Sequence, residues 1–156
     1  GVLFEKQAGV DLMHVPYKGG PPALQDVLAG QIPMMFNNLP AVVGYKGSDK
    51  LRVLAVADTK RSPILPDVPT FAEAGIPGVV STVWNGILVR KGTPAAIVER
   101  LNKDMTAVLK SPEFRTALEA QGYEVLSSTP AEFEALLAKD TAAMGRLVRD
   151  AGVRLE

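Results

Sequence analysis

Apolar and polar positions change period along the chain, and each change marks a predicted element. Val2 to Ala8 is a predominantly apolar stretch closed by Gly9, which predicts the end of a helix, and Asp11 to Tyr17 follows as a short strand. Pro21 and Pro22 open a predicted helix over Ala23 to Ala29 that stops at Gly30. The apolar run Ile32 to Phe36 supplies a second strand, broken by Asn37 and Asn38. Leu39 to Tyr45 predicts a short helix with Pro40 near its start, and Leu51 to Ala57 an apolar strand interrupted by Arg52. Strands and helices alternate, and the strands lack polar alternation. That combination predicts an α/β parallel sheet covered on both faces, with right-handed crossovers.

From Thr59 to Gly78 the composition turns to proline and glycine, which predicts a surface connector holding only a short helix, Thr70 to Ala74. Val79 to Val89 is one long extended segment, and its interruption at Trp84-Asn85-Gly86 suits a passage between domains. Farther on, Thr93-Pro94, Ser111-Pro112 and Thr129-Pro130 each place a hydroxyl at a predicted N-cap and proline at the first helical position. Thr129 and Glu132 also have capping-box spacing. Ile97, Leu101, Met105 and Leu109 fall on one face of the first of these helices. Phe133, Leu136, Leu137, Met144, Leu147 and Val148 lie broadly along one face of the third, with a short strand, Tyr123 to Leu126, before it and a stop at Gly152.

Composition narrows the function more than the fold. The 156 residues are 47% hydrophobic and 22% charged, which argues against intrinsic disorder, and 17 basic residues balance 17 acidic ones without a long block of either sign. No electrostatic footprint for nucleic acid or an anionic membrane is present. The absence of cysteine removes disulfides, thiolate zinc sites, iron–sulfur clusters and cysteine nucleophiles together. No apolar run approaches the roughly 18 to 20 residues needed to span a bilayer, and the first residues lack the pattern of a signal peptide.

The search for reaction chemistry is negative. Nucleophile elbow, Walker loop, dinucleotide glycine fingerprint and zinc-spaced histidines are all missing from the sequence. His14, the one histidine, sits mid-strand and is expected to have its ring hydrogen-bonded within the fold. Asp58 and Asp67 lie in loops without a partner carboxylate, and neither is assigned a catalytic role. What remains is two backbone-rich turns, Tyr17-Lys18-Gly19-Gly20-Pro21-Pro22 and Phe36-Asn37-Asn38-Leu39-Pro40. Each follows a predicted strand and precedes a helix, the place where open α/β sheets bind ligands. Spacing alone leaves two ordinary strand-to-helix turns as an equal reading. On the binding reading, Gly19 and Gly20 permit close backbone approach, helix N-termini offer amide donors to anions, and Asn37 and Asn38 supply hydrogen bonds without titrating.

Through these residues the chain resembles the Bug family of periplasmic solute-binding proteins, the TctC-type receptors of tripartite tricarboxylate transport systems. The resemblance is carried by His14-Val15-Pro16-Tyr17-Lys18-Gly19-Gly20-Pro21-Pro22-Ala23-Leu24 and by Gly30-Gln31 leading into Met35-Phe36-Asn37-Asn38-Leu39-Pro40. It continues through Leu54-Ala55-Val56, Lys60-Arg61-Ser62-Pro63, Leu65-Pro66-Asp67-Val68-Pro69-Thr70, Glu73-Ala74-Gly75, Trp84-Asn85-Gly86 and Gly92-Thr93-Pro94. The resemblance implies an α/β, periplasmic-binding-protein-like fold: residues 1–82 as a truncated parallel-sheet second lobe, and 83–156 as the hinge strand and three helices returning into the first. It implies a periplasmic receptor, not an enzyme, that needs no cofactor or metal. Such a receptor closes two lobes over a small carboxylated metabolite and presents it to the membrane subunits of the transporter. Tyr17, Gly19, Gly20, Asn37, Asn38, Leu39, Trp84 and Asn85 would then be the ligand-binding or hinge-side residues.

The same resemblance implies that the chain corresponds to the C-terminal half or so of a receptor, starting inside the helix after the family's glycine- and serine-rich anion-holding loop. Weak or no solute binding is therefore expected of the chain alone. Where the family commonly has an aspartate after the phenylalanine, this sequence has Asn37, which removes a charge at the cleft. Two readings from other classes stand beside the receptor: a small α/β enzyme such as a transferase, and an interaction module in which a truncated lobe forms a homo-oligomer through exposed strand edges.

Overall fold

The computed structural model describes residues 1–150, without the side chain of Asp150. The expected helix stop at Gly152 lies outside the described residues. Helices are where the local signals are strongest: α1 is Val2–Ala8, α2 Gly20–Leu28, α3 Leu39–Val42, α4 Ala95–Lys110, α5 Pro112–Glu119 and α6 Pro130–Asp150. A single 3₁₀ turn, Val43–Tyr45, extends α3, so the helix expected over 39–45 exists but tightens halfway. Gly9 ends α1 in the left-handed conformation, φ 65°, its N–H donating to the Glu5 carbonyl. None of these helices is long and apolar enough to cross a membrane.

The chain divides into two compact units. One comprises Gly1–Trp84 with Gln121–Tyr123, the other Asn85–Ala120 with the described residues from Glu124 on.

In the first unit, Ala23, Leu24, Leu65 and Val79 are buried, and so is the polar Thr70. Phe4, Phe36 and Phe71 form an aromatic cluster with ring centroids 5.6 to 6.5 Å apart, joining α1, the segment before Asn37 and the proline-rich connector. The connector is stitched down rather than helical. Thr70 and Glu73 form a reciprocal capping box: the Thr70 N–H donates to Glu73 Oε2 at 2.8 Å, and the Glu73 N–H donates to Thr70 Oγ1 at 3.1 Å. Arg61 Nε donates to the same carboxylate at 2.8 Å, and its guanidinium also reaches the Pro66 carbonyl. One i→i+4 bond, Ala74 N–H to the Thr70 carbonyl, is all that forms of the helix expected over 70–74, because Pro77 and Gly75 close the turn at once.

In the second unit α4 packs against both α5 and α6, and Val125 is buried. Asn102 Nδ2 donates to the Ser128 carbonyl and ties α4 to the segment leading into α6. The ring of Phe133, on α6, lies over Gly86 so closely that a Cβ there would stand 2.2 Å from its Cζ.

The sheet is the main departure from expectation. Among the described residues there is one parallel bridge, Val56 to Thr70, and no strand ladder; Asp11–Tyr17, Ile32–Phe36, Val79–Val89 and Tyr123–Leu126 are not strands. Apolar runs favour extended backbone, but a ladder also requires a second segment at about 4.8 Å. Leu51–Ala57 finds such a neighbour only at the connector turn, through Val56 N–H to the Pro69 carbonyl and Phe71 N–H to the Val56 carbonyl. The uncovered side chains follow: Met13, Leu54, Ile87 and Leu88 are each at least 65% exposed.

Candidate functional site

The Gly19 turn is built by glycine at one end and a hydrogen bond at the other. Gly19, the residue before α2, has φ 106° and ψ 178°, a backbone that side chains rarely adopt, and this lets extended chain meet the helix abruptly. Tyr17, partly buried, donates its hydroxyl to Asp26 Oδ2 on α2 at 2.6 Å. That bond holds the tyrosine hydroxyl above its ordinary ionisation range, since loss of the proton would leave two negative groups facing each other; partial desolvation and the Asp26 charge act in the same direction.

The anion-donor character of α2 is narrower than a generic helix start implies. Pro21 and Pro22 occupy the second and third helical positions and carry no N–H. The donors left at this end are the amides of Gly19 and Gly20, neither of which is used elsewhere among the described residues. Lys18, exposed and with no ion-pair partner among the described residues, adds a positive charge to the same turn.

The second turn comes to lie against the first. Asn37 Oδ1 is 3.0 Å from where a Cβ on Gly20 would stand, so the glycine makes room for the amide. The same oxygen accepts the Asn38 N–H at 2.9 Å, fixing the amide plane, while Asn37 Nδ2 is directed at Met35 Sδ, 3.8 Å away. A thioether is a weak acceptor, so this donor is only lightly engaged. Asn38 precedes α3 with extended backbone, φ −77° and ψ 143°, and makes no side-chain cap. Leu39 packs beneath, its Cγ 3.2 Å from a Cβ built on Gly122. Phe36 anchors this turn through the aromatic cluster, a support that no spacing in the sequence announced.

Tyr17, Gly19, Gly20, Asn37, Asn38 and Leu39 thus all belong to the first unit, and Gly20 and Asn37 touch. Trp84, exposed, is the last residue of that unit's main segment, and Asn85, exposed, is the first residue of the other. His14 is exposed and makes no hydrogen bond among the described residues, so the satisfied ring expected of it is not found: its segment has no ladder to bury it. Asp58 Oδ1 accepts the Thr59 N–H at 2.6 Å, a local turn. No group of three or more histidine, cysteine, aspartate or glutamate side chains suited to a metal occurs among the described residues.

Two neighbouring turns that offer amide donors, an uncharged amide side chain and a lysine, with no nucleophile or paired carboxylates, suit recognition of a small anion. The family described as "Tripartite tricarboxylate transporter family receptor" matches residues 2–153. The "UPF0065 protein in tcbD-tcbE intergenic region" of Pseudomonas sp. (strain P51) is 35% identical over 94% of this chain and 44% of its own length. Protein BugT of Bordetella pertussis is 34% identical over 99% of this chain and 47% of its own. Among solved structures, R. palustris Rpa4515 with adipate superposes with a TM-score of 0.88 at 34% identity, covering 97% of this chain and 50% of that one. MatC from Rhodopseudomonas palustris with bound malate gives 0.82 at 30% identity, covering 94% and 51%. The chain therefore spans about half the length of each of these four relatives. On the extent of these matches, the chain belongs to the tripartite tricarboxylate transporter receptor family.

Proposed function

We propose that this chain supplies part of an extracytoplasmic solute-binding receptor that captures a small carboxylated metabolite, catalyses no reaction, and delivers its ligand to a tripartite transporter. The observation that carries the reading is the pairing of Gly20 with Asn37, which sets two amide-rich turns side by side. In this reading Tyr17, Gly19, Gly20, Asn37, Asn38 and Leu39 form one wall of a carboxylate cleft, and Trp84 and Asn85 serve its hinge side. Adipate and malate in the two structural relatives support a dicarboxylate class. Residues 1–82 correspond to the second lobe and 83–156 to the return into the first. A periplasmic location is supported by the likeness to the solved structure of periplasmic binding protein BugD. Self-association through strand edges draws no comparable support, since the described residues present no ladder for a second copy to extend.

Asn37 shapes the ligand choice. A carboxylate at that place would repel an anion drawn to Gly19, Gly20 and Lys18, whereas the amide does not. Calorimetric titration with adipate, malate and the neutral diol 1,6-hexanediol tests this. The expected result is weak, saturable heat from the dicarboxylates, none from the diol, and a several-fold loss for Asn37→Asp that eases as pH falls. Equal responses to adipate and the diol, or turnover of either acid, would defeat the proposal.

A further inference from the structure

Two adjacent glycines make the turn before α2 versatile and, left alone, loosely specified, because glycine loses more conformational freedom on ordering than any other residue. One hydrogen bond counters that. The Tyr17 hydroxyl reaches Asp26 Oδ2, nine positions along the chain, at 2.6 Å, and so spans the whole of Lys18-Gly19-Gly20-Pro21-Pro22. Its acceptor sits on the best-anchored helix of the first unit, where Ala23 and Leu24 are buried at 8% and 7% exposure. The bond is short and charge-assisted, which places it among the stronger kind.

We infer that Asp26 is a positioning residue for the carboxylate-binding turn: by holding the Tyr17 hydroxyl it clamps the Gly19–Gly20 backbone between a fixed ring and a fixed helix. Asp26 does not touch ligand. It acts by keeping the two glycine amides pointed one way before ligand arrives, so that binding does not have to order them. The prolines contribute to the same end, since Pro21 and Pro22 fix φ on the helix side while the Tyr17 bond holds the extended side. The inference rests on the binding role proposed above, but the clamp itself is tested without ligand.

With Tyr45→Phe and Tyr123→Phe, Tyr17 is the only tyrosine left of three, and its ultraviolet titration reports the bond. In that background Tyr17 should ionise above the ordinary tyrosine range, and Asp26→Ala should bring it down to that range. In the same variant, backbone heteronuclear NOE values, which report local order, should fall at Lys18, Gly19 and Gly20 while those at Val27 and Leu28 stay as before. Asp26→Asn, which keeps an acceptor oxygen, should restore high values at the turn. A merely structural role for Asp26 would instead loosen α2 throughout. Unchanged values at 18–20 in Asp26→Ala, or no restoration by Asp26→Asn, overturns the inference. If Asp26→Ala unravels α2, Tyr17→Phe decides: it deletes the donor and spares the helix, low values at the turn support the clamp, and high values refute it. Adipate binding to the parent chain is the separate arm. Its absence contradicts the receptor reading and leaves the clamp to be judged by backbone order alone.

Discussion

A glycine's clearance decides more here than any titratable group. The Trp84-Asn85-Gly86 interruption looks in sequence like a bend, yet the structure gives Gly86 a packing reason: the Phe133 ring occupies the space a side chain would need, 2.2 Å from a built Cβ. Both residues belong to the second unit. Gly86→Ala must push a ring aside in a part of the chain with little other burial, and overpacking of this kind costs about 1 to 3 kcal/mol. Chemical denaturation should show that loss for Gly86→Ala and a smaller increment when Phe133→Ala is already present; equal losses in both backgrounds would contradict the contact. Residues of this kind were half legible. Gly19, Gly20 and Asn37 announce turns by type, but the contact of Gly20 with Asn37 joins positions far apart in sequence and depends on packing that no local period encodes. Asp26 was hidden among ordinary helical acids, and the Phe4, Phe36 and Phe71 cluster has no spacing to read.

At the scale of elements, helices were legible and sheets were not, for a physical reason. A helix satisfies its own backbone, so caps and punctuation within one stretch suffice to place it. A strand needs a partner elsewhere, which its own residues do not name. Even the caps were competed for. Thr93 Oγ1 donates to the Arg90 carbonyl and Ser111 Oγ to the Val108 carbonyl, so these hydroxyls satisfy preceding acceptors instead of capping the next helix, and α4 starts one residue later than the Thr93-Pro94 signal suggests. Thr129 alone of the three caps by hydroxyl, accepting the Glu132 N–H at 3.2 Å while Glu132 accepts the Thr129 N–H at 2.8 Å.

The two capping boxes share a pH signature. Backbone N–H donation from Thr70, followed by Arg61, holds Glu73 below the ordinary carboxylate value of 4.5, and donation from Thr129 does the same for Glu132. The folded values are depressed, so between them and pH 4.5 the unfolded chain binds more protons. Their stabilisation is therefore complete above that value and is lost as pH falls through the folded values. The acid limb of stability should flatten when Glu73 and Glu132 are both replaced by glutamine, as measured by thermal unfolding between neutral pH and pH 3. An acid limb identical to that of the parent would refute the assignment.

For the molecule as a whole, burial is thin among the described residues: the buried apolar ones are Ala23, Leu24, Leu65, Val79 and Val125. Little apolar surface is committed to holding the turns, so the pre-organisation of the glycine amides falls to the Tyr17 bond and to Asn37, and solute binding by this chain is expected to be weak. Where it binds is the sharper question. The most direct measurement is an amide-shift titration of the isotope-labelled chain with adipate, read residue by residue. The account predicts saturable shifts centred on Lys18, Gly19, Gly20, Asn37 and Asn38, with α5 undisturbed. Shifts centred on the helices of the second unit, or none at any adipate concentration, would contradict it.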